Sequence, residues 1–592
     1  MTTEEIDNTD NVSDLNENLA KIEELSQRFI SALSQRQSIH PGLQAPGQDL
    51  FLKAASAYFS EAVAHPAKIL ESQVEYWGKT LAHYVEAQQN LFRLEAPEDP
   101  GPKDARFSNE VWDTHPYFNY VKQQYLFSAG MIRDAVDSLD ELDENDKKRV
   151  RYFSQQIIDM MSPTNFLGTN PEALAKAAET NGQSLVDGLE NLVQDIEASD
   201  GELLVSLADK DAFEVGKNIG ASEGSVVFRN EIFELIQYTP TTEQVHKTPL
   251  VIFPPWINKF YILDLKPKNS LIKWIVDQGY TLFVVSWKNP DASYKDFGMD
   301  DYVETGYLTA IDAVKKITGE PQINVIGYCI AGTTLSLTLA LLQKRGDKSI
   351  KSATFFTTLT DFEDQGEVGV FLANDFVDSI EEQVAKDGIL KSFIMSRTFS
   401  FLRSNDLIYG PAIRSYMLGE APPAFDLLYW NGDGTNLPAC MLMEYLRGLC
   451  QENRFAREGF EILGETVKIK DVKVPICAIA CETDHIAAWT TSYAGVRQMG
   501  SRSKKFILSE SGHIAGIVNP PSKKKYGHYL NETWPDQPQD WRADATFNEG
   551  SWWPTWEAWL SSRSGKKIGA REPGSKAFPI LGKAPGLYVS ES

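Results

Sequence analysis

The residues with the most specific chemical spacing surround a cysteine, in the sequence Gly327-Tyr328-Cys329-Ile330-Ala331-Gly332. An apolar segment typical of a strand, Ile323 to Ile326, precedes them, and an apolar segment of helical length follows. Small residues two positions before and after a nucleophile allow a tight turn that exposes the side chain at its centre. The spacing predicts that Cys329 is a nucleophile, with Ala331 where glycine is usual. Without the flanking strand and helix, a buried structural cysteine would be the better interpretation.

A cysteine nucleophile requires a base, and the two histidines in suggestive positions are His485 and His513. His513 follows the apolar segment KFIL, and Gly512 gives its loop the freedom to reach over a sheet edge. Asp484 follows the apolar segment ICAIAC. We therefore predict His513 as the base and Asp484 as its acid. His485, adjacent to the acid, is predicted to shape a substrate-binding site, and an ordinary loop histidine is the alternative.

A second aspartate, Asp361, competes for the role of the acid because it follows the earlier apolar segment ATFFTTL. Asp361 also begins a long insertion, where it could cap the first helix. The order Cys329, Asp484, His513 is the order nucleophile, acid, histidine found in enzymes of the α/β-hydrolase fold. That order favours Asp484 over Asp361.

Acyl transfer through a tetrahedral oxyanion also needs two N–H donors. The residue after the nucleophile, Ile330, is expected to supply one, and the loop after an early strand is expected to supply the other. That loop reads FPPWINKFYILDL, and its two prolines, Pro254 and Pro255, have no N–H. The second donor is therefore Trp256, Ile257 or a residue close after them, and the sequence leaves the choice open.

The elements that must position these residues are short, almost continuously apolar segments separated by helical lengths. They are LVIF (250–253), TLFVVSW (281–287), INVIGYC (323–329), ATFFTTL (353–359), ICAIAC (476–481) and KFIL (505–508). Segments that are apolar on both faces indicate a parallel sheet covered by helices on both sides. The fold class is therefore α/β, with a hairpin at Ser225 to Tyr238 before it. The insertion 361–474 is predicted to be a lid over the carboxyl edge of the sheet.

The N-terminal part is predicted to be mostly α-helical up to about residue 200. Apolar residues at helical spacing run from Ser13 to Arg36, and their face is expected to pack within the chain or, alternatively, against a partner. Segments rich in Pro and Gly at 35–48 and 95–104 are predicted linkers. We predict a helical and linker region at 1–105, a helical domain at 106–200 and an α/β catalytic domain at 201–592.

Composition excludes several classes of function. The 592 residues include 82 acidic and 57 basic side chains, and the net charge of −25 argues against a nucleic-acid binder. Five cysteines without a CxxC pair indicate neither a disulfide framework nor a zinc site, and they fit a reducing cytoplasm. The first ten residues lack the features of a signal peptide, and no run of 18 apolar residues predicts a membrane span.

Several long motifs, in order along the chain, resemble those of class I polyhydroxyalkanoate synthases from about residue 110 onward. The motifs are PPWINKFYILDL, VSWKNPDAS, GYCIAGT, FDLLYWNGDGTNLP, ETDHIAAW, SGHIAGIVNPP and GSWWPTWEAWL. The resemblance implies an α/β-hydrolase fold whose catalytic residues fall on Cys329, Asp484 and His513. It departs from the family at Ala331, where members usually have glycine.

The resemblance also implies a cytoplasmic acyltransferase that polymerises (R)-3-hydroxyacyl-CoA, short-chain units such as 3-hydroxybutyryl-CoA above all, and releases CoA. Such an enzyme is expected to stay on the surface of the growing storage granule, to meet granule-associated proteins there, to form a homodimer and to need no metal or cofactor. The alternatives are a thioesterase or ester hydrolase of the same fold, and a non-catalytic granule-surface protein.

Two further groups of residues, a run of lysines and a cluster of tryptophans, are expected to bind ligand and to pack in the core, respectively. Lys523, Lys524 and Lys525 lie about ten residues after His513 and are predicted to meet the phosphates of CoA, with a solvated surface loop as the alternative. Four tryptophans cluster near the C-terminus and are interpreted as packing residues rather than as a binding stripe: Trp552, Trp553, Trp556 and Trp559.

Overall fold

The computed structural model describes most of the chain. The described residues are 3–34, 39–43, 53–58, 76, 78–81, 83–85, 88–89, 103–140, 142–199 and 201–591. They form two compact units, the first comprising Met1–Asp209 with Arg397–Pro423 and the second comprising Lys210–Ser396 with Ala424–Ser592. All of the predicted site residues belong to the second unit.

The second unit is built on a large mixed sheet. Within the described residues, the strands of the chain are β1 (Gly224–Arg229), β2 (Phe233–Tyr238), β3 (Gln244–His246), β4 (Leu250–Phe253), β5 (Leu282–Trp287), β6 (Ile323–Tyr328), β7 (Ile350–Phe356), β8 (Ile389–Leu390), β9 (Leu437–Pro438), β10 (Phe460–Ile462), β11 (Glu465–Val467), β12 (Ile476–Cys481), β13 (Lys504–Ser509), β14 (His528–Leu530), β15 (Thr546–Asn548), β16 (Lys567–Gly569) and β17 (Gly582–Lys583). The sheet has the order β15-β14-β13-β12-β7-β6-β4-β5-β2-β1-β17 in the described part of the chain.

The central six strands of this sheet, β13-β12-β7-β6-β4-β5, run parallel to one another. They coincide with the six apolar segments identified in the sequence, and β4, β5, β6 and β12 are buried along their whole length. The predicted hairpin is the antiparallel pair β1 and β2. Burial on both faces explains why these strands read as continuous apolar runs, and the predicted α/β class is confirmed.

Helices cover this sheet and complete its core. The main α-helices of the second unit outside the insertion are Leu271–Asp277, Thr309–Thr318, Ile330–Lys344, Trp489–Gln498, Pro538–Ala543 and Trp553–Ser561. The four clustered tryptophans are buried, as expected for packing residues, and they join the core of the sheet. The Trp556 indole N–H also donates to Thr354 Oγ1 at 3.0 Å, which ties the last helix to strand β7.

The insertion between β7 and β12 contains short helices and only short strands. Its α-helices are Asn374–Asp387, Ser392–Phe401, Gly410–Ala412, Asp426–Asn431 and Ala439–Met443, and π-helical stretches occur at Asn405–Tyr409, Ile413–Met417 and Glu444–Gln451. Residues 397–423 of the insertion belong to the first unit, and its remaining residues belong to the second.

The first unit is helical in its described residues. Its main α-helices are Thr3–Leu33, Val111–Thr114, Pro116–Asp137, Glu144–Met160, Pro171–Glu179 and Gln183–Glu197. The predicted apolar face of the first helix packs within the chain, because Leu25 is fully buried against Val186 and Val193. Arg28 also pairs with Glu197 at 2.7 Å.

The predicted linkers fall mostly outside the described residues, which include only 39–43 of the first and 103–104 of the second. In the described part of the chain, no helix combines the length and the apolar character needed to cross a membrane.

Candidate active site

Cys329 occupies a strained turn between a strand and a helix. Strand β6 ends at Tyr328 and the helix Ile330–Lys344 begins directly after the cysteine, whose backbone has φ 53° and ψ −126°. A positive φ is unfavourable for a residue with a side chain, so the surrounding contacts must hold it. One of these contacts is the Cys329 N–H, which donates to the Phe356 carbonyl on neighbouring strand β7 at 2.8 Å. The Cys329 side chain is half-buried.

The backbone packs most closely around the turn at two glycines, Gly327 and Gly332. A Cβ on Gly327 would lie 2.6 Å from the Gly332 Cα, and a Cβ on Gly332 would lie 2.1 Å from Thr358 Oγ1. Both distances are far shorter than real Cβ contacts, so any larger residue at either position would force its neighbours to move. Ala331 is fully buried, and its carbonyl accepts a hydrogen bond from the Tyr307 hydroxyl at 2.8 Å. The turn therefore accommodates the Ala331 methyl group because the close approach occurs at Gly332.

The predicted base and acid form a buried pair. His513 Nδ1 lies 2.7 Å from Asp484 Oδ2, and both residues are buried. The other carboxylate oxygen, Oδ1, accepts the N–H groups of Ile486 at 2.8 Å and Ala487 at 2.9 Å. These two bonds fix the carboxylate so that Oδ2 faces the imidazole, and a carboxylate on Nδ1 leaves Nε2 as the nitrogen available for proton transfer.

The sheet brings the cysteine, the acid and the histidine to one edge. Asp484 follows β12 and His513 follows β13, and these strands are parallel neighbours. Cys329 follows β6, which is separated from β12 by β7 alone. The rings of Tyr328 and His513 stack at a centroid distance of 6.0 Å and an angle of 28°, which places the imidazole beside the turn that carries Cys329.

The electrostatics of His513 depend on its two neighbours. Burial acts to lower its pKa, but the charges of the Asp484 carboxylate and of Cys329, together with hydrogen bonds to both, outweigh burial and raise the pKa well above its ordinary value. The imidazolium form is therefore stabilised between Asp484 and Cys329. That is the charge state a base passes through when it holds a proton between two transfers.

The other cysteines lie in surroundings that favour the thiol. Burial raises the pKa of Cys477 to about 12 and raises that of Cys450 and Cys481 as well. Half-buried Cys440 also has a raised pKa, because burial and the carboxylate of Glu444 disfavour its thiolate. Since the thiolate is the nucleophilic form, these four residues are poorly placed for nucleophilic catalysis.

The competing acid, Asp361, has different partners. Its Oδ1 accepts hydrogen bonds from Asn453 Nδ2 at 2.7 Å and from the Glu363 N–H at 3.0 Å, and its Oδ2 accepts one from Gln498. Asp361 therefore ties the start of the insertion to neighbouring segments, and it is Asp484 that contacts His513.

The predicted oxyanion donors lie at the same edge of the sheet. Ile330 is the first residue of the helix after Cys329, and the first N–H groups of a helix have no acceptor within it. Trp256 and Ile257 follow β4, whose last residue pairs with Gly327 in β6. The buried Trp256 indole N–H donates to Thr334 Oγ1 at 3.3 Å, one turn into the helix that begins after Cys329. The loop thus packs against this helix.

The predicted substrate-binding residues are more exposed. His485 is half-buried next to Asp484, and Lys523, Lys524 and Lys525 are exposed. Lys525 lies over the ring of Tyr526 at 4.8 Å, and hydrogen bonds from Lys525 and Ser511 lower the pKa of that tyrosine. All three lysine side chains are accessible to solvent, and Lys525 also contacts Tyr526. Among the described residues, no group of three or more His, Cys, Asp or Glu side chains could hold a metal ion.

Sequence reasoning missed two aromatic residues at the site. One is Tyr328, which stacks on His513 and occupies the variable position of the turn motif. The other is Tyr445 in the insertion, whose ring meets that of Trp256 edge-on at 5.7 Å. Burial, followed by the charges of Cys450 and Cys329, raises the pKa of Tyr445. The motif spacing could have drawn attention to Tyr328, whereas Tyr445 has no local sequence signal.

A cysteine in a strained turn between a parallel strand and a helix, with an aspartate–histidine pair after later strands, is the arrangement typical of the α/β-hydrolase fold. Residues 249–520 match the family described as alpha/beta hydrolase fold. Residues 103–275 match the family described as Poly-beta-hydroxybutyrate polymerase (PhaC) N-terminus.

Full-length relatives narrow this assignment. The chain is 41% identical over 531 residues to the poly(3-hydroxyalkanoate) polymerase of Methylorubrum extorquens, covering 89% of this chain and 87% of the relative. It is 40% identical over 500 residues to the poly(3-hydroxyalkanoate) polymerase subunit PhaC of Cupriavidus necator, covering 83% and 84%. The chain belongs to the poly(3-hydroxyalkanoate) polymerase family. The predicted family, the α/β-hydrolase fold and the assignment as an acyltransferase are thereby confirmed.

Proposed function

We propose that this enzyme polymerises (R)-3-hydroxyacyl-CoA into polyester through a thioester on Cys329. The observation that carries the proposal is the 2.7 Å contact between His513 Nδ1 and Asp484 Oδ2 at the sheet edge where the Cys329 turn lies. Polyester synthesis as such is the activity named for the relatives with 41% and 40% identity. The residue roles and the thioester are our inference from the geometry.

In the loading step, the Cys329 thiolate attacks the carbonyl carbon of the acyl-CoA and His513 holds the proton from the thiol. The oxyanion that forms is stabilised by the N–H of Ile330 and by a second N–H from Trp256 or Ile257. The bond between the acyl carbon and the CoA sulfur then breaks, and the proton passes from His513 to the CoA thiolate. One thioester replaces another, so the step is close to balanced in free energy.

In the elongation step, the 3-hydroxyl of a second hydroxyacyl-CoA attacks the thioester on Cys329. His513 accepts the hydroxyl proton, an ester bond forms, and the Cys329 thiolate leaves and takes up the proton. The lengthened chain now carries CoA, and Cys329 removes that CoA when it takes the chain up again. Asp484 stabilises the imidazolium in both steps. Water must be excluded from the thioester, which is the role we assign to the insertion 361–474.

The proposal extends to the ligand and to its surroundings. Exposed Lys523, Lys524 and Lys525 would meet the phosphates of CoA, and the half-buried His485 would line the substrate site. We propose short-chain units such as 3-hydroxybutyryl-CoA as the preferred substrate, the growing granule as the site of action in the cytoplasm, and a homodimer as the working form. No other cofactor enters these steps.

Incubation of the purified protein with (R)-3-hydroxybutyryl-CoA tests the proposal. We expect CoA release together with insoluble polyester, and a covalent acyl group on Cys329 that is detectable by mass spectrometry of the intact protein. CoA release with free 3-hydroxybutyrate as the only product would instead establish a hydrolase of the same fold. The absence of any CoA release from folded protein would support the non-catalytic granule-surface alternative.

A further inference from the structure

The loop that follows β4 is held from one side by a segment of the insertion. We call residues 254–261 the β4 loop and residues 430–436 the clasp segment. Thr435 makes two contacts to the β4 loop: its hydroxyl donates to the Trp256 carbonyl at 2.9 Å, and its N–H donates to the Ile257 carbonyl at 2.9 Å. Thr435 therefore fixes two successive peptide groups of the β4 loop.

Further bonds surround this contact on both sides. In the clasp segment, the Trp430 indole N–H donates to the Lys259 carbonyl at 2.7 Å, and Asp433 accepts the Tyr261 hydroxyl at 2.6 Å. Asn436 anchors the clasp segment to the loop after β5, since its N–H donates to Asn289 Oδ1 at 2.8 Å. The clasp segment is thus a fixed support that holds the carbonyl groups of the β4 loop.

The orientation of the N–H groups follows from peptide geometry. The C=O and the next N–H of a trans peptide point in opposite directions. Since the Trp256 carbonyl faces Thr435, the N–H of Ile257 faces away from the clasp segment. The N–H of Trp256 belongs to the preceding peptide, which these bonds do not orient. The β4 loop lies against the helix that begins after Cys329, through the bond from Trp256 to Thr334.

We propose that Thr435 is a positioning residue that holds the N–H of Ile257 in place as the second oxyanion donor. This inference rests on the proposed function and deepens it. The oxyanion site would then be complete only while the clasp segment, which belongs to the insertion, is docked on the β4 loop. Docking of the insertion and stabilisation of the transition state would be one event. Thr435 itself is buried, so no solvent replaces its hydroxyl if it is lost.

Three variants test this role. Thr435→Val keeps the side-chain shape and removes the hydroxyl, Thr435→Ser keeps the hydroxyl, and Thr338→Val is the matched control. Thr338 is a buried threonine whose hydroxyl donates to the Thr334 carbonyl within its own helix, at 3.0 Å. The rate of the first CoA release is measured as a function of substrate concentration, and thermal unfolding reports folding. Alkylation of Cys329 by iodoacetamide serves as a second readout, because this displacement forms no oxyanion.

We expect Thr435→Val to lower the saturating rate of CoA release by on the order of 10²-fold, as for loss of an oxyanion donor, with half-saturation and alkylation unchanged. Thr435→Ser should restore most of the rate, and Thr338→Val should behave like the wild type. Equal rates in the wild type and Thr435→Val, or a parallel loss of alkylation, would overturn the role of Thr435. Failure of the wild type to release CoA would contradict the proposed function instead.

Discussion

Two loops at the same edge of the sheet each carry a buried aspartate, yet only one of them meets the histidine. Asp361 follows β7 and Asp484 follows β12, and these strands are parallel neighbours. Each carboxylate accepts three hydrogen bonds. Asp361 accepts one backbone N–H and two side-chain amide N–H groups. Asp484 accepts two backbone N–H groups through Oδ1, and its Oδ2 contacts His513. Burial at a strand end therefore does not distinguish the two aspartates; the contact of Asp484 with His513 does.

The reason for the difference lies one strand further along. His513 follows β13, which borders β12 but not β7, so a short loop brings the imidazole to Asp484. Asp361 is surrounded by Asn453 and Gln498, which join the insertion and a following helix to the strand end. Strand order thus determines which aspartate can contact His513, and Asp361 instead joins the insertion to the strand end.

The largest effect is expected from removal of the Cys329 thiol, the proposed nucleophile. Cys329→Ala should abolish CoA release from (R)-3-hydroxybutyryl-CoA, because no other thiol occupies the nucleophile turn. Cys440→Ala is the matched control, since Cys440 is also half-buried, and it should retain most of the turnover. CoA release is followed colorimetrically, with circular dichroism as a check on folding. Comparable loss in both folded variants would contradict Cys329 as the single nucleophile.

The substitutions Asp484→Asn and Asp361→Asn test which aspartate supports His513. Asparagine cannot stabilise the imidazolium of His513, and the substrate alcohol is a weaker acid than the cysteine thiol. Asp484→Asn should therefore reduce elongation by about 10²- to 10⁴-fold, the range for general-base systems, while a single round of CoA release stays measurable. Asp361→Asn, which keeps the side-chain shape, should elongate normally.

Rapid-quench measurement of the first CoA release and of polymer length separates the two steps. Equal slowing of both steps in Asp484→Asn would contradict the division of labour. Normal elongation in Asp484→Asn with collapse in Asp361→Asn would move the acid to the loop after β7.

The strands of the sheet could be predicted from the sequence for a physical reason. Strands covered on both faces must be apolar throughout, so β4, β5, β6 and β12 were visible as short runs. The turn at Cys329 was visible from small residues at Gly327 and Ala331, whereas the requirement for glycine at Gly332 emerges only from its close approach to Thr358.

The partners of each aspartate were not visible in the sequence. Asn453 and Gln498 are far from Asp361 along the chain, and nothing local marks them as its partners. The same holds for Thr435, whose two bonds to the β4 loop depend on how the insertion folds back. Contacts of this kind depend on tertiary packing, and local sequence patterns do not reveal them.

A smaller effect is expected in the pH dependence of stability, which should differ between the two aspartate variants. Burial lowers the pKa of His513 while Asp484, followed by Cys329, raises it to a net value well above that of the unfolded chain. A raised folded-state pKa stabilises the protein below the unfolded value of about 6.5, and this contribution is lost as the pH rises through the folded value.

Asp484→Asn removes the main raising influence and leaves burial, which lowers the pKa and destabilises the fold at acid pH. The unfolding free energy of the wild type minus that of Asp484→Asn should therefore decrease as the pH rises above about 6.5. Urea unfolding at a series of pH values measures it. Asp361→Asn should show no such trend, and a difference that grows with pH would mean that Asp484 does not control the charge of His513.

The smallest expected effect concerns charge at the two ends of the sheet. Lys523, Lys524 and Lys525 follow β13 at the edge that carries both aspartates, and Lys470 and Lys473 precede β12 at the opposite edge; all five are exposed. Exposed charges attract a polyanionic ligand weakly and are screened by salt within about 10 Å at 0.1 M. Replacing the first three by glutamine should therefore raise the KM for the acyl-CoA at low ionic strength and leave kcat unchanged, with the increase fading as salt is added. Lys470→Gln with Lys473→Gln should leave KM unaltered at every salt concentration. An equal rise of KM in both sets of variants would mean that only the net charge of the protein matters. No rise in either set would mean that the three lysines form an ordinary solvated loop.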